Sequence, residues 1–275
     1  MHVSLKFLYV AIIATALTAC GEGEATKANK KAVDANNTDI SLKLAHASES
    51  AGDFPSAENL YKQAAAKGGV PATIELAQFY DRHHGERLAL TAYQDALRLD
   101  PKNTDIMRGV ANTQIKLGNP NDAIKTIDDA LAIKVNDALL YNSKGVALDM
   151  LGRYTHARNA YSTAIELDPG TTMIVDANLA MSYISTGNYN RAIALLRPLA
   201  EQPDASPQVR QNLSLAYGLN GNNELALKYA EKDMPPGDAE ENAKFYKRIT
   251  DQQRTSALPP IKTVPDKVTD IPPIP

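Results

Sequence analysis

The sequence predicts an all-α protein built from about six antiparallel helix pairs. A pattern of Ala, three residues, a large side chain, two residues and a small side chain occurs four times and continues more weakly in two further segments, with the leading alanines spaced by 32, 34, 34, 35 and 34 residues. Those alanines are Ala57, Ala89, Ala123, Ala157, Ala192 and Ala226. A second small residue precedes each of them by twelve positions, and these residues are Ala45, Ala77, Ala111, Gly145, Ala180 and Ser214. Alanine favours helix, and small side chains at fixed places let neighbouring helices approach closely.

Glycine marks the turn between the two helices of a pair, because it adopts the left-handed conformation without a Cβ penalty. It lies five residues before the leading alanine in five pairs, at Gly52, Gly118, Gly152, Gly187 and Gly221. In the second pair the glycine comes one place late, at Gly85. Pro101 and Pro169 follow second helices and stop them. The segment Ala138–Thr171 carries the most complete set of these signals.

A 34-residue period with these small, aromatic and glycine places resembles the tetratricopeptide repeat. The resemblance covers residues 38–240 and implies a right-handed superhelical solenoid of about six tetratricopeptide helix pairs plus a capping helix. Residues 238–252 are the predicted capping helix, with Asp238 as its N-cap and Glu241 three places on. The sequence departs from the family in lacking Trp and in having Asp233 where the sixth pair should have a small residue.

Residues 1–19 are predicted to be a lipoprotein signal peptide. The apolar run from residue 7 to residue 17 is about 16 Å long as a helix, too short for a bilayer core of about 30 Å. The following Leu-Thr-Ala-Cys-Gly resembles a lipobox, which implies cleavage before Cys20 and covalent diacylglycerol and acyl chains on that residue. A chance cysteine in an ordinary secretory signal is the alternative. Gly21 after the cysteine implies an outer-membrane anchor, with the protein facing the periplasm.

The two flanking segments have compositions unlike that of the repeats. Residues 20–37 combine the lipidated cysteine with Gly, Glu, Ala, Thr, Lys and Asn, which predicts a flexible tether with a reach of roughly 20–25 Å. Residues 255–275 hold six prolines in 21 residues, which predicts a Pro-rich disordered tail. Two roles stay open for the tail: solvated filler or a docking segment.

The tetratricopeptide resemblance also implies a partner-binding groove, because the first helix of each pair lines the concave face in that family. Mapped onto this chain, the groove is predicted at Leu139, Asn142, Val146, Met150, Ile174, Met181, Ile184, Gln211, Leu215 and Leu219, with Asp149 and Gln208 also pointing inward. Such a surface suits an amphipathic helix or an extended peptide, and methionine side chains let it adapt. The alternative is that neighbouring helices cover these side chains.

A weak basic patch is predicted in the third pair, from Arg108, Asn112 and Lys116. The three residues resemble the carboxylate clamp by which some tetratricopeptide proteins hold the C-terminus of a peptide. The resemblance ends at the following pairs, where Ser143, and then Ala177 and Met181, replace the polar and basic residues that a clamp requires. A clamp is therefore not expected.

The sequence favours a protein without enzymatic activity, since it contains no phosphate-binding glycine loop and no nucleophile elbow. His83 and His84 are adjacent, and adjacent residues of a helix do not face one another, so no metal site is expected there. The net charge of −3 argues against nucleic-acid binding. We expect no small-molecule substrate and no cofactor apart from the acyl chains on Cys20.

A more specific resemblance lies in residues 206–219 and 226–234, read together with the lipobox and the six repeats. These features resemble the TadD family, the tetratricopeptide lipoproteins of the tight-adherence (Flp pilus) assembly system. The resemblance implies a scaffold that binds other proteins of a pilus or secretion system, above all the outer-membrane secretin, and helps it assemble. Two alternatives stay open: a pilotin-like lipoprotein of a type IV pilus, and a periplasmic adaptor for cell-wall hydrolases.

Overall fold

The computed structural model describes residues 37–255, and the all-α fold class predicted from the repeat period is confirmed. The predicted signal peptide, Cys20, the tether up to residue 36 and the tail from residue 256 lie outside the described residues. The helices are α1 (37–50), α2 (Phe54–Arg82), α3 (Glu86–Leu99), α4 (Thr104–Lys116), α5 (Pro120–Ile133), α6 (Ala138–Met150), α7 (Tyr154–Leu167), α8 (Thr172–Ser185), α9 (Tyr189–Ala200), α10 (Pro207–Leu219), α11 (Asn223–Ala230) and α12 (Pro236–Thr255). No helix of this described part is long and apolar enough to cross a membrane.

The described residues form two compact units, unit 1 up to residue 118 and unit 2 from residue 119. The boundary falls in the turn of the predicted third pair, so that α4 belongs to unit 1 and α5 to unit 2. Within each unit, consecutive helices pack side by side along the chain. The small residues of the repeat pattern are buried throughout: Ala57, Ala89, Ala157, Ala192 and Ala226 are fully enclosed.

In unit 1, α2 joins the end of the first pair directly to the start of the second. It is interrupted at Gly69, where φ is 63° and ψ is −148°, so it comprises two helices without a loop. Gly68 lies beside the start of α1, because a Cβ at that position would stand 2.4 Å from Cγ2 of Thr38. The missing side chain therefore lets α1 approach the break in α2.

A single carboxylate, Glu49, connects α1 to both parts of α2. Tyr61 donates its hydroxyl to Glu49 Oε2 at 2.7 Å, and the Arg82 guanidinium donates from Nε and Nη2 at 2.8 and 2.9 Å. His83 Nε2 lies 2.9 Å from the same carboxylate, which is 14% exposed. The Arg82 hydrogen bonds lower the pKa of Glu49 to about 2, against the opposing effect of burial.

In unit 2, Asp149 occupies the corresponding place in its pair. Tyr161 donates its hydroxyl to Asp149 Oδ2 at 2.9 Å, and Ser182 of α8 donates to Oδ1 at 2.8 Å. Burial raises the pKa of Asp149, although both hydroxyls oppose that rise. The ring of Tyr161 fits against Gly145, where a Cβ would stand 2.4 Å from Cε1. Gly145, Tyr161 and Asp149 thus pack together as one cluster.

The last helix, α12, packs on α10 and α11. Its Tyr246 ring lies against Gly218, where a Cβ would stand 2.2 Å from Cδ2. Asp238, predicted as the N-cap, lies instead in the first turn of α12, because the helix begins two residues earlier at Pro236. Proline favours the first turn of a helix because its missing N–H is not needed there.

The turns follow the glycine pattern, with one exception. Gly52, Gly118, Gly152, Gly187 and Gly221 all have a φ between 69° and 86°. In the second pair, His84 takes this conformation with a φ of 57°, while Gly85 becomes the N-cap of α3 with a φ of −99°. Because Gly85 lies one position later than the glycines of the other pairs, the left-handed position is occupied by His84, which has a Cβ.

We expect His84→Gly to raise the free energy of unfolding of unit 1 by about 0.5–1 kcal/mol. The left-handed conformation costs a non-glycine residue about 1–2 kcal/mol, and glycine removes this cost. Part of the gain is offset because glycine has more conformational freedom in the unfolded chain. The His84 side chain is almost fully exposed and contributes little packing. Urea unfolding followed by circular dichroism measures the change, and His84→Ala, which keeps the strain, should bring no gain. A loss of stability in His84→Gly would contradict the prediction.

Candidate partner-binding face

The predicted groove residues fall mainly on one surface of unit 2, here called the α6–α8–α10 face. Its helices are neighbours, since α8 packs against both α6 and α10. On α6 the predicted residues recur at helical spacing, which places them on one side of the helix. Asn142 on that side accepts a hydrogen bond from Asn178 Nδ2 of α8 at 2.9 Å, so the corresponding sides of α6 and α8 are adjacent. The face consists of Leu139, Asn142, Val146, Met150, Ile174, Asn178, Met181, Gln211, Leu215 and Leu219.

The exposure of these side chains varies along the face. Ile174 is 60% exposed and Met150 is 48% exposed. The remaining residues are half-buried, and Met181, Leu215 and Leu219 pack on the hydrophobic core of unit 2 with one side. The face therefore combines two protruding apolar side chains with a floor of half-buried ones, and a partner segment would cover both.

The prediction that Ile184 lies in the groove is wrong. Ile184 is only 7% exposed and belongs to the core of unit 2. Asp149 is likewise turned away from the groove, towards Tyr161 and Ser182. Asp149 and Ile184 are 35 positions apart and occupy the same position of consecutive repeats. That position points towards the neighbouring helices and away from the groove. Asn178 was missed; its only sequence signal is a polar residue 36 positions after Asn142, one place off the repeat.

The α6–α8–α10 face carries no charge. The three helices contain four charged residues, and three of them are engaged elsewhere. Lys144 donates to Asp128 of α5 at 2.7 Å, Asp149 accepts from Tyr161, and Arg210 pairs with Asp233. The fourth, Asp176, is half-buried, and burial raises the pKa of its carboxyl. The polar side chains on the face are neutral amides, which donate and accept hydrogen bonds equally well.

One of these amides offers a free donor. The Nε2 atom of Gln211 is buried and has no hydrogen-bond partner among the described residues. Gln208, one turn earlier on α10, instead donates to Asn212 Oδ1 at 2.9 Å. A buried donor without a partner costs about 1–3 kcal/mol.

The predicted basic patch forms part of a cleft in unit 1, between α4 and the second part of α2. The cleft has a volume of about 150 Å³, and Gln78, Asp81, Arg108 and Asn112 contribute to its lining. Arg108 Nη2 lies 3.0 Å from Asp105 Oδ1, and Lys116 Nζ lies 2.7 Å from Asp81 Oδ1. Each cation is balanced by a carboxylate, so the cleft is not a basic patch. Within residues 37–255, no group of three acidic, histidine or cysteine side chains is arranged to hold a metal ion.

Comparisons with known proteins point to one family of repeats. A family profile described as "Tetratricopeptide repeat" matches residues 87–145, and a second one of the same description matches residues 138–171. Among solved structures, a tetratricopeptide repeat protein from Parabacteroides merdae superposes with a TM-score of 0.65 at 16% identity, covering 91% of this chain and 97% of that one.

Two curated relatives match parts of the chain. Cellulose synthase operon protein C from Pseudomonas fluorescens is 30% identical over 151 residues, which are 50% of this chain and 12% of that protein. The Sinorhizobium fredii protein y4yS is 28% identical over 90 residues, 33% of this chain and 50% of that protein. The chain thus spans half or less of the length of these relatives. The family profiles identify residues 87–171 as tetratricopeptide repeats, and the helix pairs, the buried small residues and the superposed structure show that the described residues adopt the fold of tetratricopeptide-repeat proteins.

Proposed function

We propose that this protein is a lipid-anchored assembly factor of a tight-adherence (Flp) pilus, and that it binds a neutral, apolar segment of the outer-membrane secretin. The α6–α8–α10 face is the binding surface, and the acyl chains on Cys20 hold the protein at the outer membrane. Binding and positioning of the partner are its whole activity; no catalytic step is involved.

The observation that carries the proposal is the chemistry of the α6–α8–α10 face. An uncharged surface with two protruding apolar side chains, Met150 and Ile174, favours an apolar partner segment over a charged one. The flexible thioethers of Met150 and Met181 let the surface adapt to partners of different shape. The amides of Asn142, Asn178 and Gln211 suit the main chain of an extended partner segment.

The segment that resembles the Flp pilus lipoproteins supplies part of this face. Residues 206–219 comprise the whole of α10, including Gln211, Leu215 and Leu219. Residues 226–234 include most of α11 and reach Asp233, whose carboxylate pairs with Arg210 of α10. The resemblance and the candidate surface thus involve the same residues, which supports a binding role for that segment.

The lipid anchor gives the proposal its mechanism. Each buried CH₂ of an acyl chain contributes about 0.8 kcal/mol of membrane affinity, so two or three chains hold a protein stably. A partner captured by an anchored protein is kept at a high effective concentration near the membrane. The lipoprotein would therefore favour secretin multimers by concentrating subunits at the outer membrane.

The test is the amount of heat-resistant secretin multimer in outer-membrane fractions of a deletion strain. We expect the multimer to disappear on deletion and to return with the wild-type gene. Cys20→Ser should leave the fold intact but release the protein from membranes, and Met181→Glu should prevent capture because it buries a charge at the partner contact. Neither variant should restore the multimer.

Ile133→Glu is the matched control, because it adds the same charge at an exposed apolar residue of unit 2 outside the α6–α8–α10 face. It should restore the multimer fully. Circular dichroism of each purified variant separates lost binding from lost folding. An unchanged amount of multimer in the deletion strain would refute the proposed function, and an equal loss of helicity in Met181→Glu would make Met181 a core residue.

A further inference from the structure

We propose that the α6–α8–α10 face is covered by the chain's own proline-rich tail, residues 256–275, until a partner displaces it. The inference deepens the proposed function, on which it rests, by adding regulation to the same surface. Three properties of the tail match the face: the spacing of its apolar residues, its hydrogen-bonding chemistry and its charge.

The apolar side chains of the tail recur every three residues. Leu258, Ile261 and Val264 form one such run, and Val268, Ile271 and Ile274 form a second. A polyproline-type segment has three residues per turn and rises about 3.1 Å per residue, so each run presents its side chains on one edge at intervals of about 9 Å. Packed helices lie about 8–10 Å apart. One run can therefore place one apolar side chain on each of α10, α8 and α6.

The hydrogen-bonding groups of the tail and the face are complementary. The tail contains six prolines, at 259, 260, 265, 272, 273 and 275, which have no N–H donor but keep their carbonyl acceptors. The face offers amide donors, including the buried Nε2 of Gln211 that has no partner within the described part of the chain. A tail carbonyl that reaches Nε2 of Gln211 would accept its hydrogen bond, and the prolines add no N–H donor that needs a partner of its own.

The charges also agree. The tail holds Lys262, Lys267, Asp266 and Asp270, which sum to zero. None of these four belongs to either apolar run. A neutral segment with its charges off the apolar edge pays no penalty for burying an ion against the uncharged face.

The tail is long enough to reach the face. Thr255, the last residue of α12, comes nine residues after Tyr246, or about 14 Å of helix. Tyr246 packs on Gly218, next to Leu219 at the edge of the face. The tail thus begins within about 25 Å of Leu219, and its twenty residues extend to about 62 Å as a polyproline-type chain. Crossing from α10 to α6 takes only about 20 Å of that length.

The experiment measures binding of a labelled synthetic peptide of residues 256–275 to the full chain by fluorescence anisotropy. A tethered tail competes at an effective concentration in the millimolar range, so wild-type protein should bind the peptide at least about tenfold more weakly than Ile271→Asp/Ile274→Asp. Thr263→Asp/Thr269→Asp adds the same charges off the apolar runs and should behave as wild type. Adding Met181→Glu to the Ile271→Asp/Ile274→Asp protein should abolish binding.

Equal binding by wild type and Ile271→Asp/Ile274→Asp, no binding by any variant, or binding that ignores Met181→Glu would each overturn the inference. A dimer in light scattering that Ile271→Asp/Ile274→Asp dissociates would overturn it too, because the occupant would then be the tail of a second copy. The secretin assay tests the proposed function independently of the tail. If the multimer depends on Met181 but no variant binds the peptide, only the tail inference is refuted. If the peptide binds but deletion of the gene leaves the multimer unchanged, only the proposed partner is refuted.

Discussion

Arg210→Ala is expected to destabilise the C-terminal helices of unit 2 by more than the loss of a surface ion pair does, because it leaves the largely enclosed Asp233 carboxylate without its counter-ion. Arg210 Nε donates to Asp233 Oδ2 at 2.7 Å, Nη2 donates to the other carboxylate oxygen, and Nη1 donates to the carbonyl of Ala205 at 2.6 Å. The side chains are 17% and 9% exposed. The pair joins the start of α10 to the segment between α11 and α12 and thereby positions Gln211 on the α6–α8–α10 face.

Repeat proteins often unfold in parts, so the measurement should be local. Hydrogen exchange followed by mass spectrometry should show protection lost in α10–α12 and kept in α6 and α7. Arg210→Met combined with Asp233→Leu removes both charges and should recover most of the stability, because well-packed apolar residues can replace a buried ion pair. Unchanged protection of α10–α12 in Arg210→Ala would show that the pair contributes no more than a surface salt bridge.

The second large effect is a loss of stability of unit 1 in acid, caused by Glu49. The pKa of this carboxyl is lowered to about 2 in the folded protein from an ordinary value of 4.5. The stabilisation is therefore complete above pH 4.5 and is lost as the pH falls towards 2, since protonation removes the acceptor of the Arg82 hydrogen bonds. A shift of this size corresponds to about 3 kcal/mol.

Comparison with Glu49→Gln isolates this contribution from other acids that titrate in the same range. Urea unfolding at several pH values between 7 and 2 should show a wild-type advantage at neutral pH that shrinks in acid. Glu240→Gln is the control, because Glu240 pairs with Lys244 on the exposed side of α12 and should change the free energy of unfolding little at any pH. A wild-type advantage that persists at pH 2 would contradict the assigned role of Glu49.

The acid contacts explain a correlation between two places of the repeat. Where the first helix of a pair ends with an acid, at Glu49, Asp81 and Asp149, the facing position of the second helix is a tyrosine: Tyr61, Tyr93 and Tyr161. In the fifth pair both places are aliphatic, at Ile184 and Leu196, and both are buried. Tyr61 and Tyr161 donate their hydroxyls to Glu49 and Asp149, because a buried hydroxyl requires an acceptor, and the aliphatic pair of the fifth repeat requires none.

The sequence by itself determined the elements of this protein that depend on local physics. Alanine at fixed places predicts close helix packing, and glycine predicts a left-handed turn, because both effects depend on the residue's own side chain and backbone. His84 was missed because a glycine one place late shifts the strained conformation to its neighbour. The apolar and amide residues of the α6–α8–α10 face were mostly predictable from the repeat, since each helix of a repeated pair presents equivalent sides.

The tertiary structure decided what depends on residues far apart in the chain. In the sequence, Asp233 departs from the repeat pattern, and only the fold shows that it pairs with Arg210, 23 positions earlier. Ile184 looked like a groove residue until packing turned its side chain into the core. The unpartnered donor of Gln211 and the balanced charges of Arg108 and Lys116 are also products of packing. Burial and ion pairing depend on how the helices pack against one another. A periodic pattern predicts which side of a helix faces inward, but it does not predict which residues of other helices that side contacts.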